Sequence, residues 1–209
     1  MRLDAISAVL EETIFSGAGA PSGTPPYIGA VYVDTTTGTQ YVGRNVFDAQ
    51  ASSNLALPTI SNARSVSFKF KHNDPSPASL RQFHNATGSP PTRLAVFRQA
   101  TSGLLTTSGV SPSQILLDGV SISSGTTNPS ANVWHTLQLD YPSDGILDRI
   151  FNLSYIGQIA DFAISDSVGL ARSYSINEGS GTTIIDSVSG QNGTLTLGSG
   201  SWQLDWVPI

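Results

Sequence analysis

Hydrophobic and polar side chains alternate with a period of two residues along much of the chain after residue 50. In residues 65–71, SVSFKFK, the side chains of Val66, Phe68 and Phe70 alternate with serine and lysine. This pattern is typical of an antiparallel strand with one buried face. Similar segments follow at 93–99, 114–122, 133–141, 155–164, 172–176 and 193–198. Turn-forming residues separate them and no long helical pattern interrupts them, so the sequence predicts an all-β fold, an antiparallel two-sheet β-sandwich.

Residues 27–45 predict a β-hairpin ahead of this series. Its first strand is apolar on both faces, and Asp34 to Gly38 form the turn, with the glycine suited to a left-handed backbone. An isolated two-stranded hairpin is marginally stable in water. We therefore expect another surface to cover it, either the edge of the sandwich or a neighbouring chain.

The first residues show a different period. Leu3, Ile6, Val9, Leu10 and Ile14 recur every three or four positions, which predicts a short helix over 3–14. A helix of about 12 residues is marginal alone, so its apolar stripe packs on the body of the chain or docks to a partner. The Gly/Pro-rich stretch 16–26 is typical of a linker. The predicted organisation is an attachment element at 1–26, a hairpin connector at 27–45 and a β-sandwich at 46–209.

Composition narrows the classes of partner and chemistry. Only 12% of the residues are charged and the formal net charge is -5, with Lys69 and Lys71 as the only lysines. Nucleic-acid binding needs clustered cationic side chains, so we expect no nucleic-acid partner. The absence of cysteine excludes disulfides, thiolate metal sites and cysteine nucleophiles. Neither a signal peptide nor an apolar run of about 18 residues is apparent, which predicts a soluble protein without a membrane span, made in the cytoplasm.

The histidines do not indicate an enzyme. His72 follows a strand, His84 lies in a predicted loop and His135 lies within a predicted strand. A serine hydrolase would need an activated serine beside one of them, but the chain has no G-x-S-x-G segment. It also lacks the HExxH, P-loop and EF-hand spacings. We interpret His135 as a strand residue bonded to its neighbours rather than a general base, and we expect no catalytic residues.

The carboxylate side chains leave two roles open, turn capping and calcium binding. A glycosidase would need two of them about 5 to 10 Å apart, with one kept protonated, and Glu178 lies in a predicted turn. The candidates that could approach one another are Asp118, Asp140, Asp144, Asp148, Asp161 and Asp186. Asp118, Asp144 and Asp186 neighbour glycine or serine, where aspartate commonly accepts bonds from nearby backbone N–H groups. We expect turn capping and no cofactor; the alternative is a calcium site, which would need six to eight oxygen ligands.

The three tryptophans are the largest candidate contacts. Trp134 lies in an alternating segment and is expected to be buried, whereas Trp202 and Trp206 lie near the end of the chain. The apolar segment 204–209, LDWVPI, should be covered by another surface. An oligomer contact and a glycan contact are both compatible with that pattern, so no ligand-binding residue is assigned.

Two segments resemble the laminin-G-like, concanavalin-type jelly roll. From about 50 to 166, SVSFKFK, ILLDGVSI, NVWHTLQLDY and YIGQIADFAI resemble its successive strands in order and spacing. Residues 174–202, YSINEGSGTTIIDSVSGQNGTLTLGSGSW, closely resemble a segment that opens the domain in most relatives. Here that segment follows the IAD strand, an order that resembles bacteriophage tail-fibre and related virion proteins. The resemblance implies a circularly permuted jelly roll.

The opening hairpin, with its preceding GTPP and its YVDTTTG turn, resembles a short module found near phage fibre domains. Together these resemblances imply a non-enzymatic virion structural protein, homo-oligomeric and frequently trimeric, attached to other virion proteins through its N-terminal segment. A host-surface glycan is an implied ligand. The alternatives are a capsid decoration protein without a receptor role and a carbohydrate-binding module of a polysaccharide-degrading system.

Overall fold

The computed structural model describes residues 14–50, 52–73, 81–86, 92–98, 102–152 and 155–209. These residues form fifteen β-strands and no helix, which confirms the all-β class. The first eight strands are β1 (Ile14–Gly17), β2 (Val31–Asp34), β3 (Gln40–Ala49), β4 (Asn54–Lys71), β5 (Arg81–Asn85), β6 (Leu94–Arg98), β7 (Leu105–Gly109) and β8 (Gln114–Leu117). The others are β9 (Val120–Ser121), β10 (His135–Asn152), β11 (Gly157–Ser165), β12 (Leu170–Tyr174), β13 (Thr183–Ile184), β14 (Gly193–Thr196) and β15 (Ser201–Pro208).

The chain divides into two compact units. The small unit comprises the residues up to Arg44 together with Leu204–Ile209, and the large unit comprises Asn45–Gln203. Strands β3 and β15 both continue from one unit into the other. The large unit is therefore an insertion, in chain order, between two parts of the small one. The predicted boundaries at residues 26 and 45 stay a prediction.

The small unit contains the predicted hairpin. Strands β2 and β3 are antiparallel, with Tyr32 opposite Tyr41. The turn between them is held by Asp34, whose carboxylate accepts bonds from Thr36 N at 2.8 Å and Thr37 Oγ1 at 2.7 Å. Gly38 has a φ of 76°, the left-handed conformation expected of it. The hairpin prediction is thereby confirmed.

Two expectations for the front of the chain need correction. Leu3, Ile6, Val9 and Leu10 of the predicted helix lie outside the described residues, whereas Ile14 begins strand β1. Strand β1 pairs with β2 in parallel, with Ile14 opposite Val31, so the sheet is mixed and not purely antiparallel. The linker composition of 16–26 concealed this strand, because its glycine and alanine residues carry little strand signal.

The large unit is organised around β4. One edge of β4 pairs with β10 and the other with β11. Val66, Phe68 and Phe70 are at most 1% exposed, so the predicted inward face is confirmed. The two long strands change register between Asp140 and Gly145.

The other predicted segments of the large unit also contain strands. Those six segments overlap β6, the β8–β9 hairpin, β10, β11, β12 and β14, of which β10 runs 11 residues beyond its predicted end. The sequence did not predict β7 or β5; the residues of β5, RQFHN, are polar at four of five positions yet are all buried.

Candidate functional site

The DG turn between β8 and β9 fixes one histidine. Asp118 and Gly119 have φ values of 52° and 77°, as a two-residue hairpin turn of type I′ requires. Asp118 accepts bonds from Thr136 N at 2.8 Å and from His135 Nδ1 at 2.6 Å. Its partial burial raises the pKa, but the bonds from His135 and Thr136 outweigh that effect and leave the pKa below its usual value.

His135 is held on both sides of its ring. Nδ1 donates to Asp118, and Nε2 lies 3.1 Å from the carbonyl oxygen of Ser130. Both ring nitrogens of His135 thus contact oxygen atoms of the chain itself. The interpretation of His135 as a bonded strand residue is confirmed.

The other two histidines are buried. His84 is fully buried in β5, and neither of its ring nitrogens has a hydrogen-bond partner among the described residues. Its ring lies edge-on to Phe68 and Phe162, with centroids 5.8 and 6.2 Å away. Desolvation lowers its pKa to about 3, so His84 stays neutral and enclosed. His72 is buried too, with Nε2 3.1 Å from the carbonyl oxygen of Pro129.

The candidate carboxylates do not gather at one place. Asp161 pairs with Lys69 at 2.8 Å, Asp144 pairs with Arg64, and Asp140 accepts a bond from Ser65 at 2.7 Å. These three bond to side chains of β4 rather than capping turns, contrary to the expectation. Asp148 is buried and lies 3.8 Å from Arg149 Nε. Within the described part of the chain, no three His, Cys, Asp or Glu side chains are grouped so that they could hold a metal ion.

Asp186 does cap a turn, and it organises the segment that carries the most specific sequence resemblance. Its carboxylate accepts bonds from Ser173 N and Val188 N at 3.0 Å each, and from the Ser189 hydroxyl. Burial raises its pKa, but these bonds lower it to a net value below the usual range. The backbone of Asp186 in turn donates to Asn192 Oδ1 at 3.0 Å. The bonds of Asp186 and Asn192 therefore hold this segment in its folded conformation.

A bond between a side chain and the backbone also holds the NEGSG turn of the same segment. Glu178 Oε1 accepts a bond from Ile185 N at 2.8 Å, which ties the turn to the following strand. Gly179 has a φ of 76° and lies directly against the Asn45 side chain, leaving no room for a Cβ. Trp202 Nε1 lies 3.4 Å from the carbonyl oxygen of Gly181, and its ring lies edge-on to Phe47. Trp202 is thus a packing residue rather than a free platform.

Trp134 is less buried than the sequence predicts. It immediately precedes β10 and is half-buried, and the Lys71 ammonium lies 5.7 Å from its ring centroid. A cation placed over an indole face in this way is attracted by the ring quadrupole. The ring is therefore occupied by a contact within the chain.

Two open grooves lined by described residues are candidate binding surfaces. The first, the hydroxyl groove, has a volume of about 430 Å³ and lies in the large unit. Its lining is rich in hydroxyl groups and contains no charged side chain: Thr107, Ser111, Pro112, Ser113, Gln114, Ile115, Ser121, Ile122, Ser123 and Ser124. Such a surface suits an uncharged polar ligand, because hydroxyl groups both donate and accept hydrogen bonds.

The second, the aromatic groove, has a volume of about 370 Å³ and lies in the small unit. The rings of Phe15 and Tyr32 flank Trp206, with centroids 6.3 and 5.9 Å from it. Trp206 is only 6% exposed. The rest of the lining is small: Ser16, Ala18, Ala20, Pro21, Ser22 and Thr24. Sequence reasoning singled out Trp206 but missed Phe15, which lies where helix and linker patterns meet.

Comparisons of this chain with models of known protein families, with curated proteins and with solved structures give no match. The described residues contain no helix long and apolar enough to cross a membrane.

Proposed function

We propose that the protein is a non-enzymatic structural component of a bacteriophage particle, a fibre or appendage subunit that attaches through its small unit and displays its large unit. The observation that carries the proposal is the surface of the small unit. Ile14, Ile28 and Ile209 are each more than 60% exposed, and Tyr27 is 46% exposed. These exposed apolar side chains support an interaction surface on the small unit. A symmetric oligomer, most simply a trimer, would cover them.

Sequence resemblance supports the same assignment. The hairpin of the small unit and the segment 174–202 of the large unit both resemble parts of phage fibre proteins. The two resemblances fall on different units, as expected of a protein that combines an attachment part with a displayed part. Attachment would thus be a role of the small unit and display a role of the large unit.

We assign the large unit a circularly permuted jelly-roll sandwich as part of this proposal. Phe70 of β4 lies 4.6 Å, between ring centroids, from Phe83 of β5, although β5 pairs with β10 and β6 rather than with β4. Contact between strands that share no ladder supports two packed layers. The register shifts of the 18-residue strands β4 and β10 support strands that bend from one layer into the other. An experimental structure showing two sheets about 10 Å apart would agree with this assignment.

The hydroxyl groove supports a second element of the proposal, binding of an uncharged host-surface glycan by the large unit. A glycan array probed with the full chain tests it. We expect binding to neutral glycans that is weakened in Gln114→Ala and Ser121→Ala, two exposed groove residues. An array without any bound glycan would reject the receptor role and leave a structural or decoration role.

Immunogold electron microscopy tests the structural role. The sample is the virions encoded by the genome that carries the gene for this protein. Label on fibres or appendages is the expected result. Label distributed over the capsid would instead indicate the decoration alternative. Particles without label, with the protein found only in the surrounding medium or lysate, would overturn the proposal and favour a carbohydrate-binding module.

A further inference from the structure

Strand β1 of the small unit is an edge strand among the described residues. It pairs there only with β2. Its four residues, IFSG, include no proline and no charged side chain, the usual devices that keep an edge strand from pairing with another chain. Ile14, its first residue, is 61% exposed. This edge is therefore able to accept a further strand or an apolar segment.

The aromatic groove lies along the same strand. Phe15 and Ser16 of β1 both line it, together with Tyr32 of β2 and Trp206 of β15. A segment that follows β1 would consequently place apolar side chains against the rings of Phe15, Tyr32 and Trp206. The lining contains no charged residue, so the occupant must present an apolar face there.

The chain itself contains a segment of this chemistry. Residues 1–13 lead directly into β1 and carry Leu3, Ile6, Val9 and Leu10 at three- and four-residue spacing. Their acidic residues, Asp4, Glu11 and Glu12, are all off that stripe. We propose that the apolar stripe of residues 3–10 from a second copy of the chain docks in the aromatic groove, beside the free edge of β1. This inference rests on the proposed attachment role and identifies the contact that builds the oligomer.

A second copy is favoured over the chain's own segment by the residues that precede β1. To cover its own groove, the segment would have to reverse direction just before Ile14. Residues 8–15, AVLEETIF, contain no Gly, Pro, Asn, Asp or Ser, the residues that dominate tight turns. We therefore expect the segment to dock on a neighbouring copy. Segment-to-groove contacts are heterologous, and they close into a ring such as a trimer when the rotation permits.

Sedimentation velocity on the full chain tests the proposal. We expect a concentration-dependent oligomer that is weakened by at least about tenfold in two variants with opposite defects. Ala20→Glu places bulk and charge in the groove wall, where Ala20 is exposed. The second variant replaces Leu3, Ile6, Val9 and Leu10 by serine. Val168→Ser, at a 94% exposed position of the large unit, is the matched control and should leave the oligomer unchanged.

Mixing the two variants separates a second copy from the chain's own segment. Ala20→Glu keeps an intact segment, and the serine variant keeps an intact groove, so an equimolar mixture should form a one-to-one complex that neither forms alone. A wild-type monomer, an oligomer unaffected by both changes, or a mixture that stays monomeric would each overturn the proposal. Circular dichroism of each variant confirms that it is folded. Because the immunogold experiment reads location alone, a monomeric protein on virions would reject this contact but retain the structural role.

Discussion

The two units of the chain bury their aromatic side chains to different degrees. In the large unit, Phe68 contacts Phe70, Phe83 and Phe162 and is 1% exposed. In the small unit, Phe15 lies at the edge of an open groove and is half-buried. Burial of apolar area is the main source of folding free energy. The comparison teaches that the large unit encloses its aromatic rings in a core, whereas the small unit leaves the ring of Phe15 partly exposed to solvent.

The largest expected effect comes from removing one aromatic ring from each unit. Phe68→Ala should lower the free energy of unfolding by about 4 kcal/mol, because it empties a closed site in the core. Phe15→Ala should cost about 1 kcal/mol in the monomer, because its ring is already half in solvent. Urea denaturation of both variants at low protein concentration measures the difference. Equal losses would contradict the comparison.

Acid should act on the large unit through His84. The folded protein keeps this imidazole neutral, with a pKa of about 3, whereas the unfolded chain binds a proton near pH 6.5. The unfolded state therefore holds more protons between pH 6.5 and 3, and stability falls as the pH is lowered through that window. We expect a loss of about 3 kcal/mol by pH 4 from this group, and no dependence on it above pH 7.

The variant His84→Leu isolates that contribution. It should lower the dependence of the urea midpoint on pH between 6.5 and 4, while the shifts due to aspartates remain. A wild-type and a leucine variant with parallel pH profiles would show that His84 is not the group that responds to acid.

The turn-capping aspartates give a smaller contrast. Asp186→Ala should lower the free energy of unfolding of the large unit by about 2 kcal/mol, because it leaves the N–H groups of Ser173 and Val188 without their acceptor. Asp34→Ala removes the equivalent acceptor from the hairpin turn, and we expect the unfolding midpoint of the large unit to stay unchanged. Tryptophan fluorescence separates the two, since Trp206 lies in the small unit and Trp202 in the large one. A single shared transition that shifts in both variants would show that the units unfold together.

The smallest effect is expected at exposed apolar positions. Val168→Ser, in the large unit, should change stability by less than about 0.5 kcal/mol. Ile28→Ser, in the small unit, should likewise leave monomer stability unchanged but should weaken any oligomer that covers this surface. Thermal unfolding at low and high protein concentration distinguishes the two. Ile28→Ser without effect at either concentration would show that Ile28 lies outside the interface.

The sequence predicted strands where alternation was strong and missed those where burial or composition disguised it. SVSFKFK has one buried face and was therefore predicted correctly. In β5, both faces are buried and RQFHN is largely polar, so alternation and hydrophobicity gave no signal. Strand β1 was interpreted as the end of a helix because Ile14 fits the spacing of the preceding stripe, and its true pairing with Val31 is a long-range contact.

The candidate site was predictable only in part, for a related reason. Trp206 attracted attention by its size, but the groove exists because β1, β2 and β15 bring Phe15, Tyr32 and Trp206 together from distant parts of the chain. No short-range pattern in the sequence predicts that these three rings lie together. For the aspartates, turn capping was predicted correctly at Asp186, whereas the carboxylate of Asp118 bonds to His135 and Thr136 of the neighbouring strand. The partners of Asp144 and Asp161 lie on β4, which residue spacing does not reveal.

The insertion of the large unit between Arg44 and Leu204 has a mechanical consequence. Tension applied between Ile14 and Ile209 enters and leaves through the small unit, where β1 pairs with β2, β2 pairs with β3, and Ile209 N donates to Gln40 O. Those ladders connect the two pulling points within the small unit. A pull between Ile14 and Ile209 would therefore load the hydrogen bonds of the small unit.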